Sequence, residues 1–84
     1  MSESTEMYLL TIYKLNQLHG RAGNTQLASW LGVSTASITE MVKKLTDKGL
    51  VERKGRSLFL LPEGRSIALK TIRKHRLAER FLTD

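Results

Sequence analysis

The 84-residue chain contains no cysteine, so disulfides and thiolate-held metal sites are both excluded. That composition fits a reducing compartment, and a cytoplasmic location is expected. No apolar run approaches the roughly 20 residues that a membrane-spanning helix needs. The first seven residues, MSESTEM, are polar and partly acidic, unlike a secretory signal. There is no internal repeat, low-complexity tract or linker. The sets that carry catalysis are also missing. Only His19 and His75 offer the side chain best suited to proton transfer near neutral pH, no Ser-His-Asp or Cys-His set is available, and there is no glycine-rich phosphate loop. An enzyme is therefore not expected.

What is present is positive charge, concentrated in one half. The net charge is +6, and residues 43–84 hold 12 of the 14 lysines and arginines. Such an asymmetry suggests a polyanionic partner, nucleic acid before an anionic membrane surface. The length argues for one domain over residues 1–84.

Hydrophobic periodicity predicts four helices and a hairpin. Tyr8, Leu9, Ile12, Leu15 and Leu18 form a stripe on a first helix from about Glu3 to His19. Ser2 or Ser4 could cap it, and Gly20 and Gly23 bracket a turn. A short helix from Asn24 or Thr25 to Leu31 turns Leu27, Ala28 and Leu31 inward. Gly32 stands just past its end. Ser34 is placed to cap a third helix, on which Ile38, Met41, Val42 and Leu45 form a buried face. Gly49 closes that helix. Leu50–Lys54 and Ser57–Leu61 read as short strands around a basic turn. Pro62 suits the first turn of a last helix, on which Ile67, Ala68, Ile72, Leu77, Phe81 and Leu82 keep a rough helical period. This order, mainly α with one small β-hairpin, is that of a winged helix-turn-helix. Its most informative stretch is Gln26 to Ser34 (QLASWLGVS).

In that fold the start of the third helix enters the major groove of DNA. Ser34, Thr35, Ala36, Ser37, Thr39 and Glu40 occupy it. Small residues permit close approach, hydroxyls bond phosphate or base edges, and a carboxylate accepts from cytosine N4. Ser and Thr are poor formers for a purely solvated helix face, so the pattern favours a reading face. With no arginine at this tip, sequence is expected to be read through close fit, water or DNA shape. Lys43, Lys44, Arg53, Lys54 and Arg56 suit phosphate contacts, with Arg56 at the wing tip the best placed; each also reads as ordinary surface charge. A winged helix can instead be a protein-interaction module without sequence-specific DNA binding, because fold does not fix function.

His75 and Glu79, four residues apart, share a helix face. Such a pair can ligate one divalent metal, though an exposed polar pair looks the same and two ligands do not close a site. Met7 lies among apolar residues, where core packing accounts for it.

Several segments together resemble the diphtheria toxin repressor family of metal-dependent regulators. They are Thr5–Leu9 (TEMYL) with Thr11-Ile12-Tyr13, Leu45–Val51 (LTDKGLV), and Arg56-Ser57-Leu58 with Pro62 and Gly64-Arg65. The most specific is Lys74–Arg80 (KHRLAER), followed by Leu82-Thr83-Asp84. The resemblance implies a winged helix-turn-helix whose last helix leads into a helical dimerisation domain. It implies repression of metal-uptake genes, with a metal favouring a dimer geometry that seats two recognition helices on a palindromic operator.

Position by position, the resemblance makes Met7 a ligand of the activating metal site and His75 and Glu79 ligands of an ancillary one. The manganese-responsive branch has Asp where Met7 stands and Glu where Leu10 stands, so Fe2+ is favoured over Mn2+. Asn24, Thr25 and Gln26 match a phosphate-contacting helix start. Ser34, Ala36, Ser37, Thr39 and Glu40 match the base-proximal region, and Arg56 matches a wing contact. The chain departs from the iron-type pattern at Ala36, where Pro is familiar, and at Glu40, where Gln is. The family's other metal ligands and its main dimer surface are expected beyond Asp84. A homodimer is therefore expected of the full-length form and a monomer of this piece.

Overall fold

A computed structural model describes the backbone of residues 3–83 and the side chains of residues 4–74. In order, the elements are α1 (Glu3–His19), α2 (Asn24–Leu31), α3 (Thr35–Asp47), β1 (Val51–Lys54), β2 (Ser57–Leu60) and α4 (Pro62–Thr83). They form a winged helix-turn-helix.

Helix α1 is the centre of the packing, touching α4, β2 and α2. Covered from several sides, it buries Leu9, Leu10, Thr11, Ile12 and Leu15. Four of these are consecutive, a wider arc than the single stripe read from the sequence. At the other end of that stripe the expectation fails. Leu18 is 64% exposed, because the apolar period continues one turn past the part of α1 that its neighbours cover. Thr11 is buried without leaving a bare hydroxyl, since it donates to the Met7 carbonyl at 2.7 Å. Ser4 lies within α1 rather than ahead of it.

The tight turn between α2 and α3 follows from Gly32, whose φ of 69° is left-handed and favours glycine. The Gly32 and Val33 amides both donate to the Ala28 carbonyl, at 2.9 and 3.1 Å. Ser34 then caps α3, its hydroxyl accepting from the Ser37 amide at 3.1 Å. Ile38, Val42 and Leu45 bury the inner face of α3, and Met41 packs half-buried against the core.

Helix α3 ends in a complete Schellman motif. Gly49 (φ 71°) donates to the Thr46 carbonyl at 3.0 Å, and Leu50 donates to that of Leu45 at 3.0 Å. Leu45 and Leu50 are both buried, in keeping with the apolar contact that commonly accompanies that motif.

The hairpin pairs Val51 with Leu60 through to Lys54 with Ser57, leaving Gly55-Arg56 as a two-residue turn. The strands are one residue shorter at each outer end than the sequence suggested. Leu50 is already committed to closing α3, and the Leu61 carbonyl accepts from Arg65 as α4 begins. One ladder-like bond still joins the two, Leu61 N–H to Leu50 O at 2.9 Å.

The turn after α1 adds a contact to β2. Leu58 donates to the Ala22 carbonyl at 2.9 Å, and Ala22 donates to the Ser57 hydroxyl at 2.9 Å. Ala22, Ser57 and Leu58 are buried. The wing is thereby fastened to the segment that leads into α2.

Candidate nucleic-acid interface

Two surfaces make up the candidate site. The first is the outer face of α3. Ser34, Thr35, Ala36, Ser37, Thr39, Glu40, Lys43 and Lys44 are all exposed, opposite the buried Ile38, Val42 and Leu45. The hydroxyls there are not equivalent. Ser34 accepts from the Ser37 amide and donates to Ser37 Oγ at 3.0 Å, so its bonding capacity is largely taken up by the cap. Thr39 donates to the Thr35 carbonyl at 3.0 Å, which leaves its oxygen as an acceptor and its methyl available for apolar contact. Ser37 and Glu40 lie one turn apart on this face.

The second surface is an open cleft between the start of α2 and the wing. Arg21, Gly23, Asn24, Thr25, Gln26, Arg53, Gly55 and Arg56 line it. Free amides at a helix start favour anions, and three guanidinium groups stand around this one. Among the described residues no carboxylate pairs with Arg21, Arg53 or Arg56. The ion pairs found there are Lys54–Glu52 at 3.2 Å and Lys74–Glu6 at 3.6 Å. Lys54 therefore shares its charge with Glu52, while the three arginines keep theirs for a partner.

Side chains at the start of α2 have work inside the protein. Gln26 Oε1 accepts from the Gly23 amide at 2.8 Å, which leaves its NH2 to donate outward. Asn24 Oδ1 accepts from Arg53 Nη2 at 2.7 Å. Thr25 is exposed. Arg53 joins the cleft as one of the phosphate-contact candidates expected from the sequence, whereas Arg21 was not among them. A basic residue just ahead of a helix start was the available signal for Arg21. The Arg53–Asn24 pairing, 29 residues apart, had no local signal.

Of the metal-ligand candidates, only the Met7 side chain falls within the described residues. Met7 is half-buried on α1, and the side chains of His75 and Glu79 lie outside the described residues. Among the described residues no three His, Cys, Asp or Glu side chains form a group that could hold a metal. One thioether does not make a site, so the described part of the chain does not fit a metal by itself. Among the same residues no helix is long and apolar enough to cross a membrane.

Comparison with known proteins gives a consistent result. A family model described as "Iron dependent repressor, N-terminal DNA binding domain" matches residues 1–57. The chain is 43% identical over 83 residues to the diphtheria toxin repressor of Corynebacterium glutamicum, covering 98% of this chain and 36% of that protein. Among solved structures, the metal-dependent transcriptional regulator MtsR superposes with a TM-score of 0.88 at 30% identity, over 98% of this chain and 39% of its own. The manganese regulator SloR superposes with a TM-score of 0.81 at 38% identity, over 98% and 39% respectively. The chain thus spans little more than a third of the length of these relatives.

Proposed function

Because the chain belongs to the iron-dependent repressor family, as its N-terminal DNA-binding domain, we propose that it is the operator-reading unit of a metal-dependent transcriptional repressor. The observation that carries this reading is the exposed start of α3 together with a cleft of three arginines that have no carboxylate partner among the described residues. In the proposed complex α3 lies in the major groove. Ala36 permits close approach, Ser37 and Thr39 bond base edges or phosphate, and Glu40 accepts from cytosine N4. Lys43, Lys44, Arg56 and the start of α2 at Asn24, Thr25 and Gln26 hold the phosphate backbone, with Ser34 setting the start of the helix. In this reading it is a binding module rather than an enzyme, and it acts in the cytoplasm.

The longer protein is proposed to act as a homodimer on a palindromic operator, with α4 leading from this domain toward the dimer surface. A divalent metal is proposed to control it. The family description and Met7 favour iron over manganese, while SloR shows that a manganese regulator shares the fold and much of the sequence. Met7, His75 and Glu79 are the ligands this chain would contribute, and the remainder would come from elsewhere in the protein.

The test is to select duplexes from a random pool with the chain and measure the winners by fluorescence anisotropy across salt. A palindromic consensus with steeply salt-dependent affinity is expected. Ser37→Ala and Glu40→Ala should each relax discrimination at one base position by about 1–3 kcal/mol. Equal affinity for selected and scrambled duplex, untouched by these changes and by Arg56→Ala, would instead favour a protein-interaction module.

A further inference from the structure

Arg53 sits on β1 and Asn24 opens α2, yet their side chains meet at 2.7 Å across the cleft. A free arginine samples many rotamers and must give them up on contact with a partner. The bond to Asn24 favours one of those rotamers for Arg53. Its guanidinium carries five N–H donors, and the bond to Asn24 engages a donor on Nη2, leaving four. The acceptor is a neutral amide, so the tether orients the group without cancelling its charge. Lys54, the next residue along the strand, shows the contrast, since its orienting partner is the carboxylate of Glu52 at 3.2 Å. The two walls of the cleft are tied together and lie close. Ala22 is bonded to Ser57 and Leu58, and a side-chain carbon on Gly23 would sit 3.4 Å from the Arg56 carbonyl oxygen.

We propose that Asn24 is a positioning residue, which holds the Arg53 guanidinium beside Arg21 and Arg56 so that Arg53 grips a DNA phosphate at the α2–wing cleft. This reassigns Asn24 from a direct phosphate contact to the support of one, and it rests on the DNA-binding reading above. Asn24 then influences affinity through a charge that it does not itself carry.

Each phosphate contact contributes about 0.9 to the slope of log affinity against log salt, which is roughly eightfold in affinity at 0.1 M salt relative to 1 M. The experiment measures the chain on one short mixed-sequence duplex by anisotropy, from roughly 50 to 200 mM salt, with thermal melts to verify folding. Arg53→Gln should lower the slope by about 0.9. Asn24→Ala should lower it by most of the same amount although no charge is removed, and adding it to Arg53→Gln should change nothing further. A slope for Asn24→Ala equal to wild type would overturn the proposal, and so would full additivity in the double variant. If Asn24→Ala does not fold, Arg53→Lys asks the same question, because it keeps the charge and loses the fork that reaches Asn24. Weaker binding supports the proposal, and wild-type binding overturns it. Wild-type protein that shows no salt-dependent duplex binding would instead remove the DNA-binding reading itself.

Discussion

Replacing Gly64 with alanine sets two effects of known size against each other. Gly64 is buried in the first turn of α4. A Cβ placed there would overlap the Leu50 carbonyl oxygen, and would lie 3.0 Å from its carbonyl carbon and 3.3 Å from its Cα. All three are backbone atoms, so no side chain can swing away to make room. Forcing extra carbon into such a contact costs about 1–3 kcal/mol. Alanine is the better helix former by up to about 1 kcal/mol, and less than that so near a helix start. The clash should win by about 1–2 kcal/mol. In a domain of this size that lowers the melting temperature by roughly 5–15 °C. Thermal unfolding followed by far-UV circular dichroism measures it, with Glu63→Ala, an exposed neighbour in the same turn, as the control. Hydrogen exchange at the Leu61 amide should quicken as well, because its acceptor is the same Leu50 carbonyl. If Gly64→Ala melted at or above wild type, the close approach of α4 to Leu50 would be wrong.

Two further substitutions probe the frame of the site. Ser34→Ala removes the α3 cap and should destabilise the chain by about 1 kcal/mol in urea unfolding; an unchanged midpoint would mean the cap contributes nothing. Ser57→Ala strips the buried Ala22 amide of its acceptor and should cost about 1–3 kcal/mol, with faster hydrogen exchange at Ala22. Wild-type protection there would refute the fastening of the wing through this bond.

The parts of the fold legible in the sequence were those with local chemical markers. Ser34 capping α3, Gly32 in the turn, Gly49 after α3 and Pro62 opening α4 each settle a boundary through their own backbone preferences. Burial along α1 was less legible. Leu10 and Thr11 are covered by elements far away in the chain, and Leu18 has the right period but nothing over it. The outer face of α3 could be listed from helical periodicity alone. The arginine cleft could not, because Ala22 meets Ser57 across 35 residues and Asn24 meets Arg53 across 29, and no repeat or spacing encodes such meetings.

Leu50 joins the end of α3 to the start of α4 through one residue. Its amide closes α3, its carbonyl receives Leu61 at the entry to α4, and its backbone abuts Gly64. A joint with both polar groups engaged and no room for one added carbon behaves as a weld rather than a hinge. The start of α4 is then tied to the end of α3 through Leu50. If α3 reads the operator as proposed, a change in the direction of α4 would be passed through this joint to the angle at which α3 meets the DNA.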